Sequence, residues 1–213
     1  MKSVLSLVLC LGLIVGQGAF AETYQYEEGT HYAVLPFPIK SRHPDKIEVT
    51  EYFSYGCPHC YEFDPLVNAW KENLPDDVVF TRTPAIWNHD YEVFAQTYYT
   101  LLAMGMLDKL HSQIFQAIHA EHKDLGSDQA MAKYLSQFGV DPEAFAKTYS
   151  SFGVRASLQQ ADARGKAFRS GGVPAIIVDG KYRVEGSMAG SNSNMLRVVD
   201  FLIEKERAAM QAQ

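Results

Sequence analysis

From Lys46 to Ser54 the segment KIEVTEYFS alternates, with Ile47, Val49, Glu51 and Phe53 on one phase. A period of two predicts a β-strand. Beyond it the period lengthens. Cys60, Asp64, Val67, Ala69 and Trp70 fit a helix that starts at Cys57, ends near Leu74-Pro75 and kinks at Pro65. Val78 to Thr83 predicts a second short strand, which Thr83-Pro84 ends. Helical spacing then dominates through Phe94, Tyr98, Leu101 and Leu102, then Leu107, Leu110, Ile114 and Ile118, then Met131, Tyr134, Leu135 and Phe138. Asp128 and Asp141-Pro142 mark helix starts, and Gly105, Gly126 and Gly139 mark stops. A longer helix is predicted over Val154 to Phe168. Strands return at Ala175 to Val178 and Tyr182 to Glu185, joined through Asp179-Gly180-Lys181, a hairpin signal. An amphipathic helix from about Ser193 to Ala209 carries Met195, Val199, Leu202 and Ile203 on one face. This order predicts a mixed α/β chain with one sheet and an inserted helical bundle, without internal repeats or low-complexity stretches.

The first residues follow a different rule. Lys2, an apolar run from Val4 to Val15, and Ala19-Phe20-Ala21 have the three parts of a secretory signal peptide, cleaved before about Glu22. The run is short for a bilayer span, so an uncleaved anchor is the lesser alternative. Cys10 lies within it and is expected to leave with it. No later segment is apolar enough to cross a membrane. The remaining chain is long enough for one domain with a large core.

Composition narrows the function. The 213-residue chain has 19 Lys and Arg against 25 Asp and Glu, and no basic run, so nucleic acid is not an expected partner. Of its 3 cysteines, Cys57 and Cys60 alone follow the leader, and in an oxidising compartment they can form one bridge. A bridge between residues so close in sequence closes too short a loop to stabilise a scaffold well, which favours redox chemistry.

The placement of Cys57-Pro58-His59-Cys60 supplies the reason. Free N–H groups and the helix dipole stabilise a thiolate at a helix N-terminus, where Cys57 sits. Pro58 pre-sets the first turn, and His59, when charged, adds a cation near the sulfur. Cys60 is less well aimed, so the two thiols should differ. A thiolate exists only in the reduced form, and stabilising it makes the disulfide more oxidising. Three pKa units below ambient pH correspond to roughly 90 mV.

Glu51 shares the phase of Ile47, Val49 and Phe53, which places a carboxylate on the core side of the strand leading to Cys57. Burial should raise its pKa and suit it to exchange a proton with Cys60. A bulge that turns Glu51 outward is the alternative. Asp64 is expected to be a solvated helix acid. Zinc binding would need His119 and His122 as the other half of a site, but these lie on a predicted bundle helix with no second CxxC, so no metal and no separate cofactor are expected. His31, His43, His89 and His111 receive no role. Tyr52, Phe53, Tyr55 and Tyr61 are mostly core, with some available to an apolar patch.

VTEYFSYGCPHCYEFDP, Gly172-Val173-Pro174 and the helical segment between them resemble the DsbA family of bacterial periplasmic dithiol oxidases. Proteins of that family are themselves standard examples of acidic cysteines and oxidising disulfides. The resemblance covers the whole chain after the leader. It implies a thioredoxin-like fold over 22–87 and 170–213 with an inserted helical domain over 88–169, after a signal peptide over 1–21. It also implies an exposed nucleophile at Cys57, a buried partner at Cys60, a buried acid at Glu51, and a substrate-binding cis-proline loop at Val173-Pro174. The implied protein is a periplasmic monomer that acts on exported proteins with free cysteines and is reoxidised by a membrane quinone-linked DsbB. Tyr55-Gly56 departs from the bulkier pair expected before the motif. An isomerase or reductase, and a holdase-like or metal-binding protein without turnover, are the rival readings. An isomerase usually adds a dimerisation domain, and none fits between Glu22 and Lys46.

Overall fold

The computed structural model of the chain describes residues 26–212, so the expected leader lies outside the described residues. The elements run β1 (Ala33–Val34), β2 (Ile47–Phe53), α1 (Pro58–Lys71), β3 (Val78–Pro84), α2 (His89–Ala103), α3 (Leu107–His119) and α4 (Asp128–Ser136). Then come α5 (Pro142–Tyr149), α6 (Phe152–Phe168), β4 (Ala175–Val178), β5 (Tyr182–Glu185), α7 (Gly186–Ala189) and α8 (Asn192–Gln211). The described strands form one sheet in the order β1-β5-β4-β2-β3. β2 pairs parallel with β3 and antiparallel with β4, while β5 pairs antiparallel with both β4 and β1. This is a thioredoxin-like sheet, with every helix from α2 to α6 lying between β3 and β4 in sequence.

Side chains of β2 divide between the two faces. Ile47 and Val49 pack with Phe63 and Val67 of α1 and with Val198 and Leu202 of α8. Tyr52 packs on the other face with Phe168 of α6, Ala175 and Ile177. All seven residues of β2 are buried, so the alternation in sequence does not mark a strand with one wet face. Glu48 lies on the second face, 2% exposed, and its carboxylate accepts hydrogen bonds from Arg42, Ser41 and Arg164. Its polar phase is buried because these partners replace water.

Local chemistry accounts for most element ends. Asp141 caps α5 through Glu143 N–H with Pro142 at the first helical position, and Ser127, Ser151 and Ser191 cap α4, α6 and α8. Pro65 lies inside α1. The three-residue connection between β4 and β5 is closed by Lys181 N–H donating to Val178 O at 2.9 Å, with positive φ at both central positions of that turn, Asp179 and Gly180. A Cβ on Gly180 would lie 2.0 Å from the Ile39 carbonyl oxygen at φ +61°. Gly180→Ala should therefore destabilise the protein by at least about 1 kcal/mol, read as a lower urea midpoint at unchanged slope.

Candidate functional site

The chain turns from β2 into α1 through Ser54-Tyr55-Gly56. Cys57 is the N-cap of α1, in extended conformation, and Pro58 is its first helical residue. The Cys57 N–H donates to Ser54 O at 3.1 Å, closing the turn. Gly56 is pressed against α2, where a Cβ would meet Phe94 Cε2 at 2.9 Å, so Phe94 fills the space that a bulkier residue before the motif would take.

Both cysteines are free thiols, and their environments differ. The Cys60 S–H donates to the Cys57 sulfur and is the largest favourable influence on its thiolate; partial burial opposes it, the backbone N–H groups of Cys60 and His59 add to it, and the His59 charge contributes least. Cys57 is thereby lowered to a pKa of about 6. Burial, together with that same hydrogen bond, pushes Cys60 well above the ordinary thiol value. At pH 7 a sulfur of pKa about 6 lies one unit inside its thiolate range, which corresponds to about 30 mV. His59 is 75% exposed, with Nδ1 3.5 Å from Glu62 Oε2. Cys57 is less open than the resemblance implies, at 6% exposure against 0% for Cys60.

Across from Cys57 lies the segment before β4. Its Val173-Pro174 peptide bond is cis, and Val173 O accepts the Cys57 S–H at 3.3 Å. That carbonyl serves the neutral thiol and offers nothing to a thiolate. The approach to it is braced by Glu185, whose Oε1 accepts from Ser170 Oγ at 2.6 Å and Gly171 N at 3.2 Å. A cleft of about 600 Å³ opens beside Val173-Pro174, between His59 and the turn from α7 into α8.

Beneath the motif, Glu51 is 1% exposed. Arg82, its register partner on β3, donates from Nε to Glu51 Oε2 at 2.7 Å. Arg82 Nη2 also reaches Asp64 Oδ1 at 3.3 Å. Asp64 is not solvated: it is 3% exposed, and its Oδ2 accepts from Ser112 Oγ at 2.6 Å and Asn68 Nδ2 at 2.9 Å. It shares the buried face of α1 with Cys60, Phe63 and Val67, which is why its charge is covered. Two carboxylates thus share one guanidinium. At Asp64 the neighbouring His111, then Ser112 and Arg82, outweigh burial and lower the pKa, whereas burial outweighs Arg82 at Glu51 and raises that one.

Every expected site residue lies in this region, but several of its neighbours were not anticipated. Arg82 stands out in sequence only as a charge within the apolar run VVFTR. His111 is 4% exposed, held at a pKa of about 4 by burial and by Arg82; its Nδ1 is 2.8 Å from the Tyr55 hydroxyl, and its Nε2 is 3.3 Å from Asp64 Oδ1 without hydrogen-bond alignment. His119 donates from Nε2 to Tyr55 O at 2.8 Å. Among the described residues no group of three or more His, Cys, Asp or Glu is arranged to hold a metal ion.

A model of the DSBA-like thioredoxin domain matches residues 70–195. The chain is 41% identical over 206 residues to the thiol:disulfide interchange protein DsbA of Pseudomonas aeruginosa, covering 97% of each chain. Its counterpart in Azotobacter vinelandii is also 41% identical, over 211 residues, covering 98% of this chain and 99% of that one. The fold superposes on the crystal structure of Pseudomonas aeruginosa DsbA with a TM-score of 0.84 at 43% identity, covering 87% of this chain and 97% of that one. For the oxidoreductase DsbA of Xylella fastidiosa the TM-score is 0.80 at 32% identity, covering 86% and 98%.

The lowered Cys57 pKa has a consequence for stability. A group whose folded pKa is depressed adds stability that is complete above its unfolded value and is lost as pH falls through its folded value. The reduced protein should therefore gain stability relative to the oxidised protein as pH rises from about 6 to about 9. Urea unfolding of both forms across that range measures the difference, and a flat difference would contradict an acidic Cys57.

Proposed function

The chain belongs to the DSBA-like thioredoxin family, and from that premise we propose that it is a thiol:disulfide oxidoreductase that donates its Cys57–Cys60 disulfide to newly exported proteins. The observation that carries this reading is the inequality of the two thiols, with Cys57 acidic at about 6 and Cys60 buried and pushed the other way. In the oxidised protein a substrate thiolate attacks Cys57 Sγ, a mixed disulfide forms, the Cys57–Cys60 bond breaks, and Cys60 leaves with the electron pair. A second substrate thiolate then attacks the substrate sulfur of the mixed disulfide. Cys57 departs as a thiolate, a good leaving group because its pKa is low. The substrate loses two electrons and two protons and gains a disulfide, and the Cys57–Cys60 pair is left reduced.

Glu51 gives the departing Cys60 sulfur its proton in this scheme and takes it back when the disulfide re-forms. Arg82 carries one charge against two carboxylates, and Asp64 has the additional hydrogen-bond donors, which leaves Glu51 as the carboxylate that titrates. Pro58 sets the helix start, His59 adds a small favourable charge, and Val173-Pro174 presents backbone to the substrate next to the sulfur. The electrons are carried by the cysteine pair, so no separate cofactor or metal enters. The setting is the periplasm, after cleavage of a leader over 1–21. The mature protein is a monomer in which the helical segment 88–169 interrupts a thioredoxin-like frame over 22–87 and 170–213. Its electron acceptor is a DsbB-like, quinone-linked membrane protein.

Oxidised protein should catalyse disulfide formation in a reduced, unfolded protein. Cys57→Ser should abolish that activity, and Cys60→Ser, left with a lone Cys57 thiol, should accumulate a mixed disulfide when given a substrate that already carries a disulfide. Activity retained in Cys57→Ser would exclude the mechanism, and a glutathione equilibrium near that of a strong reductant would make the protein a reductase instead. Glu51→Gln, isosteric but unable to take the proton, should slow the Cys60 step by about tenfold to a hundredfold while the protein stays folded. Stopped-flow exchange at unchanged rates would remove Glu51 from the scheme.

A further inference from the structure

Helix α3 lies outside the thiol pair and outside the scheme above, yet one stripe of it is given over to the residues that flank the motif. His111, Phe115 and His119 stand four residues apart on one face. His111 Nδ1 meets the Tyr55 hydroxyl at 2.8 Å, and His119 Nε2 donates to the Tyr55 carbonyl at 2.8 Å, so the two histidines hold opposite ends of one residue. Phe115 packs edge-on against the Tyr55 ring at 5.1 Å. The same stripe reaches Tyr61, whose ring stacks on His119 at 5.2 Å and 19° and whose hydroxyl donates to Gln116 Oε1 at 3.2 Å. Tyr55 comes two residues before Cys57, and Tyr61 comes one residue after Cys60.

Tyr55 has nowhere else to go. At 1% exposure it is the largest fully buried side chain among the described residues, and it sits between Phe53, His111 and Phe115. A phenol and a carbonyl buried together need partners, and α3 supplies both. The turn they belong to decides where the first N–H groups of α1 point. The backbone N–H groups of His59 and Cys60 act on the Cys57 sulfur from that first turn, and such interactions depend on alignment.

We propose that the His111–Phe115–His119 stripe of α3 is a positioning device that grips Tyr55 and Tyr61 and so aims the first turn of α1 at the Cys57 sulfur. This rests on the dithiol-oxidase reading. His111 and His119 are positioning residues; neither touches a sulfur in the contacts described. The helical segment then tunes the motif as well as covering it. His111 also stands 3.3 Å from Asp64, so the stripe borders the charged group around Arg82 and Glu51.

The test uses His119, which is half-buried and can be changed without opening the core. His119→Ala removes the donor to the Tyr55 carbonyl and the stack on Tyr61, whereas His119→Gln can return a donor near the Nε2 position. Thiolate absorbance titration should show the Cys57 pKa raised in His119→Ala by about half a unit or more, about threefold in the ionisation constant. The glutathione equilibrium should shift toward the oxidised protein, and His119→Gln should recover most of both shifts. Tyr55→Phe, which keeps the ring and loses only the hydroxyl that His111 holds, should move the titration in the same direction. If His119→Ala lowers thermal stability while titration and equilibrium stay at wild-type values, or if His119→Gln does no better than alanine, the positioning role is overturned. Wild-type oxidase activity measured in parallel separates the two readings: its absence would undo the proposed function, whereas its presence with unmoved titrations would undo the stripe alone.

Discussion

A sulfur anion on a residue that keeps only 6% of its exposure has little water to stabilise it, so the protein must supply the donors. The turn from β2 into α1 provides them. Cys57 caps the helix, the N–H groups of His59 and Cys60 face its sulfur, and the Cys60 thiol donates as well. The neighbouring contacts are arranged around that requirement. Gly56 lets the turn press against Phe94, and α3 holds Tyr55 and Tyr61, whereas the Val173 carbonyl on the other side accepts from the neutral thiol alone. The same hydrogen bond that lowers Cys57 raises Cys60, so one interaction makes the pair unequal. His59, the residue most readily credited from the motif, is largely solvated and contributes least.

The buried charges below the motif obey a related constraint. Glu51, Arg82 and Asp64 carry three formal charges in a region almost without water, and such a group is tolerated only when its hydrogen bonds are made. Asp64 is satisfied by Ser112 and Asn68 as well as by Arg82, and Glu51 by Arg82 alone among the hydrogen bonds described. That asymmetry, together with His111 beside Asp64, explains how two carboxylates a short distance apart have pKa values displaced in opposite directions. On the opposite face of β2, Glu48 shows the other limit. Arg42 and Arg164 are both within ion-pair distance, and they hold its pKa at about 2 in spite of burial.

Much of this was legible in the sequence where a local rule decides the outcome. The bounds of β4 and β5 follow from their apolar runs and from Asp179-Gly180, and the start of α5 follows from Asp141-Pro142. CPHC marks the start of α1, and the phase of Glu51 places it in the core. What escaped depends on pairings between distant segments. β1 has two residues and exists through its pairing with β5, and no periodicity can be read from so short a run. Arg82 meets Glu51 because β2 and β3 are parallel in one particular register. Asp64 looked solvated because a lone acid on a helix usually is, although its spacing from Cys60 already placed it on the buried face. His111 and His119 acquire partners only when α3 lies across the active-site turn.

The contact between Cys57 and Val173 joins residues 116 positions apart, one just after the end of β2 and the other just before the start of β4, with the whole helical segment between them. A copy of the chain that has not yet folded carries the CPHC motif without the opposing carbonyl, the grip on Tyr55 or the buried Arg82 pair. Its two thiols are then ordinary and nearly alike. The distinctive redox character belongs to the tertiary structure and not to the tetrapeptide, so the protein becomes a specialised oxidant only once its own folding is complete. An unfolded copy is chemically just another dithiol to be oxidised.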